Sequence, residues 1–77
     1  MKIKLNYTGY LKFDGAKSGD FIDVKEGSTI GDVLAGFHVP RDQQRFLRLF
    51  ADEERADPSH VIQDGEELTV IIQIGGG

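Results

Sequence analysis

The sequence has no cysteine and no tryptophan, and only two prolines, two histidines and one methionine. Without thiols there can be no disulfide, iron–sulfur ligation, thiolate zinc site or cysteine nucleophile. Two histidines leave little material for a transition-metal site, and no metal ligand set is expected. No apolar run approaches the roughly 20 residues needed to span a bilayer, and the N-terminus lacks the apolar stretch of a signal peptide. Cations are in the minority. Nine Lys and Arg stand against 13 Asp and Glu, for a net charge of −4, which argues against nucleic acid as a partner. What remains is 77 residues, 39% of them hydrophobic. That suffices for one small core and is too little to enclose a substrate pocket. The expectation is a soluble, single-domain, cytoplasmic protein with no membrane association.

Charge is unevenly spread. Residues 1–40 hold equal numbers of Lys and of Asp and Glu, so the whole excess falls in residues 41–77. It gathers in Asp52-Glu53-Glu54 with Asp57, and again in Asp64, Glu66 and Glu67. Acidic loops of this kind keep a small protein soluble, and they also form a rim able to steer a basic partner.

Periodicity sets out the elements. Ile3, Leu5, Tyr7, Leu11 and Phe13 fall on odd positions and Lys2, Lys4, Asn6, Thr8 and Lys12 on even ones, the period-two pattern of a strand with one buried face. A loop over 14–19 follows, and Ile22 and Val24 alternate over 20–25 as a returning strand, giving a hairpin. The period then changes. Ile30, Val33, Leu34 and Phe37 form one helical stripe. Thr29 and Asp32 form a capping box, with Gly36 and Pro40 closing the helix. Gly31 costs about 1 kcal/mol against alanine in a helix, so a close approach, to the sheet, is expected there. Over 41–50 two readings stand. Leu47 and Leu49 alternate as in a strand, while Phe46, Leu47 and Phe50 could share a helical face. The turn-rich segment over 51–57 favours a short strand centred on Phe46–Phe50. The Asp64-Gly65 turn leads to a final strand in which Leu68, Val70, Ile72 and Ile74 alternate with Thr69, Ile71 and Gln73.

Strand, strand, helix, strand, strand with one apolar sheet face and one helix makes a two-layer α+β domain. If its first and last strands pair in parallel at the centre, it is a β-grasp, with a mixed four- to five-stranded sheet on one helix. The domain is assigned to residues 1–74, and Gly75-Gly76-Gly77 to a flexible tail, glycine having the widest backbone freedom.

The helix start Thr29-Ile30-Gly31-Asp32-Val33-Leu34, the turn Asp64-Gly65-Glu66-Glu67-Leu68 and an apolar strand running into glycines together resemble the ubiquitin-like sulfur carriers. These are the molybdopterin synthase small subunit (MoaD) and the thiamine-biosynthesis sulfur carrier (ThiS). The resemblance covers essentially the whole chain and implies the β-grasp fold. It also implies a carrier rather than an enzyme. The Gly77 carboxylate would be adenylated by an activating adenylyltransferase, which uses ATP and Mg, and a sulfur donor protein would then displace AMP to leave a thiocarboxylate. Gly75 and Gly76 would be the slim stem. The acceptor would be the molybdopterin synthase large subunit, in a molybdopterin or tungsten-pterin pathway, or a thiazole synthase. Two features depart from the family. There are three glycines where two are usual, and Ile72-Gln73-Ile74 lacks the proline common in molybdopterin carriers. An apolar residue followed by three glycines looks more like some thiamine carriers. The opening hairpin with its loop at 14–19 and the total length suit the molybdopterin type, toward which the reading leans slightly. A ubiquitin-like modifier joined through Gly77 to protein lysines is an alternative reading of the same features, and a plain interaction module is another.

Other motifs carry less. Gly15-Ala16-Lys17-Ser18 lacks the glycine before lysine that a phosphate loop needs. His38 and His60 read as a helix-end and a turn histidine, and Asp52-Glu53-Glu54 as carboxylates in an open loop. Tyr10, Phe21 and Ile71 fall off their strands' apolar phase. With Gln73, they are candidates for a docking patch toward the activating enzyme.

Overall fold

The computed structural model describes residues 1–8, 13 and 15–72. Gly75, Gly76, Gly77, Tyr10 and Gln73 lie outside the described residues. In chain order the elements are β1 (Lys2–Tyr7), β2 (Asp20–Asp23), α1 (Ile30–Gly36), α2 (Arg41–Gln44), β3 (Leu47–Ala51), β4 (Glu54–Ala56) and β5 (Glu67–Ile72). They form a five-stranded mixed sheet in the order β2-β1-β5-β3-β4. Its centre is the parallel pair β1–β5, with Leu5 opposite Leu68 and Tyr7 opposite Val70. The first and last strands therefore meet side by side, the pairing that the β-grasp requires.

Alternation settles which face is inside. Ile3 and Leu5 of β1, Leu49 of β3, and Leu68 and Val70 of β5 are buried together with Ile30, Val33 and Leu34 of α1. The opposite face carries Lys4, Phe21, Thr69, Ile71, Arg48 and Phe50, with no helix packed over it among the described residues. Truncating fully buried Leu34 to alanine would cost about 3 kcal/mol, a large part of what so small a domain has.

Helix α1 starts as its capping box dictates. The Asp32 N–H donates to Thr29 Oγ1 at 3.1 Å, and the Thr29 N–H donates to Asp32 Oδ2 at 3.0 Å. The close approach at Gly31 is to a loop, not to the sheet. Its N–H donates to the Pro58 carbonyl at 2.9 Å, and a Cβ there would sit 3.2 Å from that same oxygen.

The segment 41–50 differs from expectation in its first half. Pro40, with φ −60 and ψ 144, is the N-cap of the single turn α2, and the strand begins only at Leu47. The supposed turn-rich stretch after it contains β4, which returns on β3 with Ala51 opposite Glu54. The two residues between them, Asp52 and Glu53, both take left-handed backbone at φ 50 and φ 72. A two-residue hairpin of the I′ kind demands this. Asn-Gly or Asp-Gly is its usual signature, so Asp-Glu gave no hairpin signal.

Candidate functional site

The sequence places any C-terminal chemistry beyond β5, so the surroundings of that strand's far end define the site. Ile72 pairs with Leu47 and Ile71 with Arg48. Just before Leu47, the α2–β3 junction leaves Phe46 52% exposed, with the Arg45 guanidinium 4.9 Å from its ring centroid. Arg45, Phe46, Arg48 and Ile71 thus flank the end of β5 on its β3 side. An exposed aromatic with a stacked cation is the composition favoured at interface centres. Ile71 was an expected docking residue; Phe46 and its arginine neighbours were not. The sequence placed Phe46 inside a predicted strand, where alternation says nothing about a residue that precedes the pairing.

On the β1 side, three aromatics close the inner face at the same end. Tyr7 packs on Phe13 with centroids 4.6 Å apart, and Phe13 meets Phe37 edge-on at 5.2 Å. The Tyr7 hydroxyl donates to the Ala16 carbonyl at 2.6 Å, and Ser18 Oγ accepts the Tyr7 N–H at 2.9 Å. The Ala16–Ser18 loop is therefore tied to β1, and its serine is occupied in that role.

Phe21 is 67% exposed on the same open face as Ile71, but the structure does not bring the two together. Phe21 is level with Lys4, and Lys4 with Glu67. Ile71 lies four residues further along β5, roughly 13 Å at strand rise, with β1 in between.

The acidic groups sit at the other end of β5. Asp52 Oδ1 accepts the Glu67 N–H at 2.8 Å, so the expected open loop is a tight turn docked on the sheet. His60 is half-buried, its Nε2 3.1 Å from Glu66 Oε2, and Glu66 Oε1 accepts the Gln63 N–H at 2.9 Å. It is paired, where a solvated turn histidine was expected. His38 is exposed at the end of α1, with φ 65. The carboxylates of Asp32 and Asp57 are held below the ordinary carboxylate range. For Asp32 the main cause is the Thr29 N–H, followed by the Thr29 hydroxyl; for Asp57 it is the Ser59 hydroxyl, followed by the Ser59 N–H. Both are committed to capping and turn closure. Among the described residues no three His, Asp or Glu side chains converge to hold a metal ion. No helix among them is long and apolar enough to cross a membrane.

No family model matches the sequence. Solved structures do match its fold over nearly all of its length. SAMP1 from Haloferax volcanii superposes with a TM-score of 0.72 at 19% identity, covering 100% of both chains. The ubiquitin of Caldiarchaeum subterraneum matches with a TM-score of 0.57 at 23% identity, over 100% of this chain and 98% of that one. The chain has the ubiquitin-like β-grasp fold. A Pyrococcus furiosus protein described as molybdopterin converting factor, subunit 1, gives a TM-score of 0.69 at 13% identity, over 95% of this chain and 98% of that one. In this β-grasp domain the strand leading to the glycines is the central one, held on both sides by its neighbours.

Proposed function

We propose that this β-grasp domain is a sulfur carrier that works through the carboxylate of Gly77, in molybdopterin or tungsten-pterin cofactor synthesis. The supporting observation is the junction of fold and sequence. A central strand, β5, runs into Gly75-Gly76-Gly77 on a fold shared with a protein described as a molybdopterin converting factor subunit. In this reading the domain delivers an activated end to partners, and catalysis belongs to them.

The chemistry explains the design. A carboxylate is a poor acyl donor at neutral pH, because oxide must leave. Attack of a Gly77 oxygen on the α-phosphate of ATP expels pyrophosphate and gives an acyl-adenylate. Hydrosulfide-level sulfur from a donor protein then adds to the carbonyl carbon and expels AMP, leaving the thiocarboxylate. ATP and Mg belong to the activating adenylyltransferase. Its enclosed site admits a thread without Cβ atoms, while the Arg45, Phe46, Arg48 and Ile71 surface gives it a purchase beside the thread. The acceptor is the molybdopterin synthase large subunit.

A second reading has one specific support: two of the fold's relatives are named a small archaeal modifier protein and a ubiquitin. The same adenylate then feeds an amide bond to a lysine of a target protein.

Mass spectrometry of the C-terminal fragment from native cells tests both readings. Exchange of one Gly77 oxygen for sulfur supports the carrier. Gly77 linked through an isopeptide bond supports the modifier. A plain carboxylate after incubation with activating enzyme, ATP and sulfur donor overturns both. The fragment is required because oxidation of Met1 adds nearly the same mass.

A further inference from the structure

The turn that launches β5 is clamped by a single residue of β1. The Glu66 N–H donates to the Gln63 carbonyl at 3.1 Å, closing a turn in which Gly65 takes φ 80. Glycine adopts that backbone without strain. Lys2 reaches both halves of the Asp64-Gly65 pair inside this turn. Its N–H donates to Asp64 Oδ1 at 3.1 Å, and its carbonyl accepts the Gly65 N–H at 2.9 Å. The phase of β1 explains why. The amine and carbonyl of Met1 both bond to Val24 on the β2 side. In an antiparallel ladder the next residue, Lys2, turns its backbone groups the other way.

The two groups that Lys2 holds are the two that can react with each other. Glycine after aspartate has no Cβ to hinder attack of its nitrogen on the preceding side chain. The Asp64 carboxyl group, protonated from solvent, loses its hydroxyl as the Gly65 nitrogen bonds to Cγ. The nitrogen's proton leaves with that hydroxyl as water, and a succinimide ring remains. Water then opens the ring. Addition at the former main-chain carbonyl leaves the chain running through Cβ and Cγ of residue 64, with a free carboxylate on Cα. That product is isoaspartate, and its formation needs only water and a proton. Asp64 and Gly65 are exposed, so both are at hand. Ring closure, however, requires the nitrogen to give up its proton and swing onto Cγ. While the Lys2 carbonyl holds that N–H and the Lys2 N–H holds the carboxylate, neither is free to move.

We propose that Asp64-Gly65 is a site of isoaspartate formation gated by the start of β1: the folded turn resists the reaction, and local release of Lys2 permits it. The change alters the fold at a sensitive place. It lengthens the main chain of the turn by a methylene and shifts the carboxylate away from the Lys2 N–H. The turn lies just before the rungs that join Lys4 to Glu67 and Leu5 to Leu68 in the central pair. A molecule that has isomerised therefore carries a lasting record of having opened at this end.

The test compares the full chain with the free peptide Ile-Gln-Asp-Gly-Glu-Glu, the sequence of 62–67, at one pH and temperature. Electron-transfer fragmentation assigns isoaspartate to position 64 and separates it from any formed at Asp14-Gly15, the other Asp-Gly pair. The folded chain is expected to isomerise at least about tenfold more slowly than the peptide. Urea well below the unfolding midpoint should raise the rate, with a slope shallower than that of global unfolding, as a local opening requires. Lys2→Pro removes the bond to Asp64 and none to β2, and should speed the reaction at least about threefold; thermal melting checks its fold. Should that variant unfold, the urea series on the unchanged chain still decides. A folded chain as fast as the peptide overturns the proposal. So does a rate that follows global unfolding alone, or an unchanged rate in folded Lys2→Pro.

Discussion

Asp52 and Glu67 exchange two hydrogen bonds across 15 residues. The Asp52 N–H donates to the Glu67 carbonyl at 2.9 Å, and the Glu67 N–H donates to Asp52 Oδ1 at 2.8 Å. One residue thereby closes the β3–β4 hairpin and fixes the first rung of the central strand. Asp52→Ala removes the second bond and should lower stability by about 1 kcal/mol, read as an earlier urea midpoint with an unchanged slope.

Glu53 adopts φ 72 with only its position in the turn to justify it. Glu53→Gly relieves the left-handed strain, and part of that gain is lost to the freedom glycine adds to the unfolded chain. A net stabilisation of about 0.5 kcal/mol is expected, measured by the same denaturation.

The Pro58 carbonyl cannot retreat from Gly31 without stretching the 2.9 Å bond it accepts from the Gly31 N–H. Gly31→Ala should therefore yield none of the roughly 1 kcal/mol that helix propensity promises. Gly31→Val, bulkier at the same contact, should destabilise by about 2 kcal/mol, seen in thermal melts. Either variant melting well above the parent would sink the close-contact account.

The depressed ionisation of Asp32 gives acid sensitivity a definite sign. The folded state favours the carboxylate, so this contribution is complete above the unfolded aspartate value near pH ~4. It is lost as pH falls through the lower folded value. Asp32→Asn should be less stable than the parent at pH 7, and the difference should shrink on acidification toward pH ~3. Asp57 with Ser59 acts in the same direction. Urea midpoints against pH would show the two curves converging.

Docking and threading are separable if the proposed carrier role holds. Phe46→Ala should lower kcat/KM for adenylation about tenfold, or 1.4 kcal/mol, by removing an interface contact. Phe21→Ala, on the far side of β1, should leave it unchanged. Gly76→Phe should abolish adenylation without moving the melting temperature. Loss of both activity and stability in that last variant would assign the glycine a structural role.

Much of this was legible in the residues because strong periodicity has one physical meaning. Odd positions in β1, the stripe Ile30, Val33 and Leu34, and Leu68, Val70 and Ile72 in β5 are each buried or half-buried. The Thr29–Asp32 box was readable because both partners are three residues apart. The β3–β4 hairpin was hidden because its left-handed residues are Asp52 and Glu53, and local sequence normally marks that geometry with glycine. The His60–Glu66 pair and the Gly31–Pro58 contact join separate segments, so no local pattern encodes them. Phe46 was misplaced because Pro40 starts a turn of helix that shifts where pairing begins.

The parallel pair β1–β5 has a mechanical consequence. The chain enters β1 at one end of the sheet and leaves β5 at the other, with Lys4 beside Glu67 and Tyr7 beside Val70. Tension between the N-terminus and anything gripping the chain beyond Ile72 slides these two strands along each other instead of peeling them apart. The evenly spaced rungs of a parallel ladder then share the load. A pull on the chain beyond Ile72 therefore meets a lap joint in shear, not a zipper.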